Sequence, residues 1–176
     1  MISPKTVANF FFDTAMREGN LTVSPMKMQK LVYYAHGWHL GLADKPLIDE
    51  PVQAWPYGPV VPSLYQEFKH FGNGLITQPA TDVRFVIDGE GATQLEVVAP
   101  RVVESAFSPD FMQKLMGKVW EIYRNYSAVQ LSNETHKPGT PWDQIKARHG
   151  GRIPENTVIP NDMIRDYFRR AAAGGN

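Results

Sequence analysis

A chain of 176 residues that is 43% hydrophobic and 20% charged has the composition of one folded domain, not of a disordered segment. Its 18 basic and 18 acidic residues cancel, so no overall field draws it to nucleic acid or anionic lipid. Cysteine is absent, which excludes disulfides, thiol nucleophiles and thiolate zinc sites.

The start, Met-Ile-Ser-Pro-Lys, shows no basic region ahead of an apolar core, and no apolar run approaches the ~20 residues of a membrane span. A cytoplasmic protein is expected. Ser-Pro occurs at Ser3-Pro4, Ser24-Pro25 and Ser108-Pro109. Serine accepts a bond from a free first-turn amide and proline suits the first helical position, so each pair reads as a helix start. The first predicts a helix from Pro4 to about Arg17, with Val7, Phe10, Phe11, Thr14 and Ala15 inward and Gly19-Asn20 as its stop. The second predicts a helix from Pro25 to about Leu42. Met28, Leu31, Val32, Ala35, His39 and Leu42 recur at three- and four-residue steps as one stripe. Gln29, Tyr33, His36 and Gly37 lie on an adjoining face.

The stretch AWPYGPVVP, Ala54 to Pro62, cannot be helical, because each proline removes a backbone donor and clashes with the preceding turn. Two compatible readings follow. Stiff backbone holds Trp55 and Tyr57 ready for a partner, or it makes a rigid connector whose rings seal the core against the second helix. Gly58 permits the turn, and Pro59-Val60-Val61-Pro62 feeds a third helix from Pro62 to about Phe71, carrying Tyr65, Phe68 and Phe71. Gly72-Asn73-Gly74 stops it.

Beyond that, Val83, Phe85 and Ile87 alternate with Asp82, Arg84, Val86 and Asp88, the period of a half-buried strand. Asp88-Gly89-Glu90-Gly91 turns the chain and Gln94 to Ala99 returns it, giving a β-hairpin. A helix from Pro109 to Tyr126 places Met112, Leu115, Met116, Val119, Ile122 and Tyr123 on one side. Ser127 caps a short helix to about Thr135. In THKPGTPWDQ, Gly139 stops that helix, and Thr140, Pro141 and Asp143 start another with Trp142 in its first turn. This is a corner pinned by an aromatic, or a partner contact through Thr135, His136 and Trp142. Asn161 is expected to cap a last helix from Asp162 to about Ala172, with a frayed end over 171–176. The expected fold is α+β, mainly α-helical: one domain over 1–172 with a single β-hairpin insertion, and a flexible end at 173–176.

Chemistry is sparse. His36 and His39 are three apart on one helix, but His70, His136 and His149 lie in unrelated contexts and no His-Glu-x-x-His is present. The imidazoles are expected to pack and hydrogen-bond, without a metal or cofactor. No Gly-x-Ser-x-Gly turn or phosphate-cradling loop occurs. Nothing selects Asp49, Glu50 or Glu67 as a working pair, so no enzyme is expected. Arg165, Arg169 and Arg170 suit a helix C-terminus through its dipole, with a nucleic-acid patch as the alternative.

Three blocks in series carry a family resemblance: KMQKLVYYAHGWHL (Lys27–Leu40), KPLIDEPVQAWPYGPVVPSLYQEFKHFG (Lys45–Gly72) and LSNETHKPGTPW (Leu131–Trp142). The chain resembles the Panacea domain family, which includes SocA-like antitoxins and phage-associated GepA-like proteins. The resemblance implies an antitoxin of a bacterial or prophage toxin–antitoxin operon. It would neutralise a toxin encoded nearby by direct contact, or act as an adaptor to an ATP-dependent protease; no membrane partner is expected, and the balanced charge lowers the expectation of a nucleic-acid one. The family positions are Gln29, Lys30, Leu31, Tyr33, Tyr34, His36, Gly37, Trp55, Tyr57, Gly58, Pro59, Val60, Thr135, His136, Pro141 and Trp142. The alternative is a winged helix-turn-helix regulator, which its second helix, with only Lys27 and Lys30, is poorly charged to be. A third reading is an enzyme using His36, His136 or an acidic pair.

Overall fold

Ser-Pro pairs open the two helices around which the chain is organised. In this structure, a computed structural model describing residues 1–19, 22–87, 89, 93–102 and 109–174, Ser3 Oγ accepts from the Lys5 amide at 3.2 Å and Ser24 Oγ from the Lys27 amide at 3.4 Å. Helices α1 (Pro4–Arg17) and α2 (Pro25–Ala43) therefore begin where the pattern places them. Ser108 of the third pair and Asn20 lie outside the described residues.

Helix α2 is the centre of the molecule. Its stripe from Met28 to Ala35 is fully buried, and so are Gln29, Lys30, Tyr33 and His36 on the other faces. A helix covered all round has to be wrapped by others, and α1 and four later helices pack on it. The expected stripe does not extend to Leu42, which is 55% exposed. The reason is α7 (Asn161–Ala172), whose Phe168 fills a notch made by Gly37 and Gly41, one turn apart. The buried side of the last turns follows that notch, so Leu42 faces away.

Trp55 and Tyr57 do not belong to a plain connector. Strands β1 (Val52–Trp55) and β2 (Gly58–Val60) form a hairpin with Trp55 opposite Gly58 and Gln53 opposite Val60. With β5 (Val158–Ile159) they make an antiparallel sheet ordered β2-β1-β5. The sequence reading has one hairpin; this second small sheet is additional. Strands of four, three and two residues are too short to show a period, and Pro59 argues against a strand.

Helix α3 (Pro62–Phe68) passes into a 3₁₀ turn over Lys69–Phe71. Strands β3 (Asp82–Ile87) and β4 (Thr93–Val98) pair as expected, yet they are not half-buried. Val83, Phe85, Ile87, Leu95 and Val97 are 62–74% exposed, because the hairpin stands off the helical body. A link at its base is Lys5 Nζ, 2.9 Å from both Asp82 Oδ1 and Glu67 Oε2. Helix α4 (Pro109–Tyr123) ends three residues before the expected Tyr126. Its Tyr123 stacks on Tyr34 at 4.2 Å, which turns Trp120 inward and Ile122 outward, correcting the predicted face.

Helix α5 (Ala128–Thr135) opens with a reciprocal Ser127–Gln130 capping box, and α6 (Pro141–Arg148) with Thr140 as cap. Helix α7 includes Asn161 and follows Pro160, with no side-chain cap. The Asn161 amide has another use, described next. The architecture is α+β and mainly helical.

Candidate functional site

The outer edge of β2 is closed by side chains. The register turns the peptide groups of Pro59 and Val61 away from β1, and such an edge normally invites another strand. Here Gln29 Nε2 donates to Val61 O at 3.1 Å while the Val61 amide donates to Gln29 Oε1 at 2.9 Å. Lys30 Nζ donates to Pro59 O at 3.0 Å, and Ser132 Oγ to Tyr57 O at 2.9 Å. Trp142 Nε1 closes the series on Trp55 O at 2.8 Å. Proline at position 59 removes the one amide that would face the same way unpaired. Alternate carbonyls from residue 55 to 61 are thus tied to α2, α5 and α6.

Lys30 is 1% exposed and enters no salt bridge among the described residues. Burial pushes its ammonium down to about 7, since a charge taken from water without a counter-ion is costly. Gly58 lies against it with φ +100; a Cβ there would meet Thr135 Oγ1 at 2.5 Å and Lys30 Nζ at 2.7 Å, so only glycine fits. Thr135 Oγ1 donates to Ser132 O. The His136 ring packs tilted against Trp142, centroids 3.9 Å apart, and its buried Nε2 has no hydrogen-bond partner among the described residues. Burial first, then the Lys30 and Lys146 charges, hold its imidazole below the ordinary value.

The other face of α2 serves the core. His36 Nδ1 accepts from the Ile48 amide at 3.4 Å, so Nε2 carries the proton and donates to Asn161 Oδ1 at 3.0 Å. Burial pushes this imidazole down to about 4, against the pull of the Asn161 bond. His39 Nδ1 faces Lys45 O at 2.6 Å. Both imidazoles are therefore packed and hydrogen-bonded. Tyr33 and Tyr34 pack edge-on against Phe168, which sits in the Gly37 notch. Burial raises both phenols.

The structure thus brings Gln29, Lys30, Gly58, Pro59, Val60, Thr135, His136 and Trp142 together around the β1–β2 hairpin. Tyr33, Tyr34, His36 and Gly37 lie on the α7 side instead. Tyr57 is the outlier, 70% exposed at the turn. Trp55 is half-buried, with Tyr65 at 4.8 Å. Trp55 and Trp142 also line a groove of about 790 Å³ with Pro56, Pro62, Lys146 and Arg152. Lys146, Arg152 and Ser132 were not legible as site residues; Lys146 had only its place in the last turn of a short helix as a signal.

The family model for the antitoxin SocA-like, Panacea domain matches residues 28–143. That span covers α2 from Met28 onward, both hairpins, α5 and the Trp142 corner, and so includes Gln29, Lys30, Ser132 and Trp142. The chain belongs to the SocA-like Panacea domain family. It is also 29% identical to "Antitoxin SocA" of Caulobacter vibrioides (strain NA1000 / CB15N) over 168 residues, 96% of this chain and 83% of that relative. No solved structure matches it. Within the matched span, Gln29, Lys30, Ser132 and Trp142 are the side chains that fasten the small sheet to the helices. Strand β5 and helix α7 lie beyond the matched span, and no helix among the described residues is long and apolar enough to cross a membrane.

Proposed function

We propose that this chain is an antitoxin that neutralises a protein toxin encoded beside it by direct contact, and that the β3–β4 hairpin makes that contact. Membership of an antitoxin family supports the role. The observation that carries the mode is the hairpin's two-sidedness. Val83, Phe85, Ile87, Leu95 and Val97 share one face and are all largely exposed, while Arg84 and Glu96 pair at 3.4 Å on the other. A free two-stranded hairpin is marginal in water and gains little from an uncovered apolar face. A charge-free face of this kind fits an apolar surface on the toxin, and a stable complex buries on the order of 800 Å² per partner.

The regulator reading loses its recognition helix. Lys27 and Lys30 of α2 are 2% and 1% exposed and donate to the carbonyls of Arg124 and Pro59, so neither can reach a phosphate. The test is co-expression with the product of the adjacent gene, comparing the native chain with Phe85→Ser/Leu95→Ser. Both positions are exposed, so the variant keeps its helical spectrum and thermal midpoint while protection is lost. Equal protection by the variant removes the hairpin from the mechanism. A neighbour that is harmless alone, or still toxic beside the native chain, removes the antitoxin reading. Toxin levels that fall only when an ATP-dependent protease is present would assign the adaptor mode over sequestration.

A further inference from the structure

The groove beside the clamped hairpin has a chemistry of its own. Trp55, half-buried, and Trp142, 6% exposed, form its aromatic floor, with Pro56 and Pro62 also in the lining. Trp142 is held by its bond to Trp55 O and by the His136 ring behind it, so the floor is set before any ligand arrives. At about 790 Å³ the space has room for a few side chains of an extended polypeptide segment.

Charge selects the segment. Lys146 lies with Nζ 5.4 Å from the centroid of the Trp142 ring, and Arg152 lines the groove in the loop after α6. Neither enters a salt bridge among the described residues, although Lys5, Arg84, Arg101, Lys118, Arg124, Lys137, Arg165 and Arg169 all do. Against these two cations the groove lining holds a single acid, Glu155. Aromatic floors edged by proline take extended, proline-containing segments, whose ordering cost is low, and unpaired Lys and Arg at the rim take carboxylates.

We propose that this groove binds an extended peptide segment of a partner protein, with a proline or aliphatic residue on the Trp55–Trp142 floor and an adjacent Asp or Glu on Lys146 and Arg152. This surface is separate from the β3–β4 hairpin, and the proposal stands whether or not the hairpin meets a toxin.

Selection of random displayed dodecapeptides on the full chain tests it, with the enriched peptides synthesised and titrated by tryptophan fluorescence. Enriched peptides should carry an acidic residue beside a proline or aliphatic one. Lys146→Glu/Arg152→Glu should weaken them by about tenfold or more, and raising sodium chloride from about 50 to about 500 mM should weaken native binding but not the residual binding of the variant. Both side chains are exposed, and an unchanged thermal midpoint verifies the variant's fold. Failure to enrich any sequence, enrichment without acidic residues, or equal affinity for the double variant would overturn the proposal.

Discussion

Lys30→Met tests the clamp where its energetics are most unusual. The Lys30 Nζ is buried with Pro59 O at 3.0 Å, and burial lowers its pKa from 10.5 to about 7. In the unfolded chain the group returns to about 10.4. Between those values the unfolded state binds more protons than the native one, so stability rises with pH through the window and is lowest, and flat, below about pH 7. At 1.36 kcal/mol per unit, keeping this amine buried costs about 4 kcal/mol at pH 7 and about 1 kcal/mol at pH 9.5, a change of about 3 kcal/mol. Methionine has similar length and does not titrate; it leaves Pro59 O without its donor, a penalty of about 1–3 kcal/mol that does not vary with pH. Urea denaturation of both proteins by tryptophan fluorescence, from pH 7 to about 9.5, gives the difference directly. The native chain should gain about 3 kcal/mol on the variant across that range. Tyr33 and Tyr34, whose phenols burial raises, are present in both and cancel. A difference that stays flat to within about 0.5 kcal/mol would refute the argument, because it would mean the buried amine holds its proton.

Two further perturbations probe the other faces of α2. His36, pushed down to about 4 by burial, takes up its proton in the unfolded chain near pH 6.5; its contribution is complete above that value and lost as pH falls towards 4, about 3 kcal/mol in all. His36→Gln should flatten the acid limb of the stability profile between those pH values, measured by denaturant midpoint. Gly37→Ala places a methyl inside the edge of the Phe168 ring and should cost about 1–3 kcal/mol of overpacking. Phe168→Leu should restore part of that loss in the double variant, a coupling read from a thermal or denaturant cycle.

What the sequence disclosed, and what it hid, divides by distance along the chain. Helix starts were legible because Ser3, Ser24, Ser127 and Thr140 act on amides two or three residues away. The α2 stripe was legible to His39 because a local period reports a local face. It failed at Leu42 because α7, more than a hundred residues on, decides which side of the last turn is covered. Asn161 shows the same rule. By position it is a helix cap, yet its carbonyl is engaged by His36, 125 residues away. Ser132, which holds Tyr57 O from 75 residues away, gave no signal at all. The β3–β4 pattern was read correctly as alternation, but alternation states only that two faces differ. It does not state that this molecule covers the apolar one.

Gln29 spends both amide atoms on Val61, Lys30 donates to Pro59, and Trp142 donates to Trp55. Side chains consumed in this way have little left to offer a partner. Loss of neutralisation after changing Gln29 would follow from two buried backbone groups left unpaired, at about 1–3 kcal/mol each, and would say nothing about contact. Phe85 and Leu95 stand in the opposite position: they touch little of this fold, so a loss there with stability intact reports contact alone. Lys146 and Arg152 share that property on the groove side. A domain built this way can keep its inner clamp while its hairpin face and groove rim are altered, so the two proposed contact surfaces are free to change without disturbing the fold.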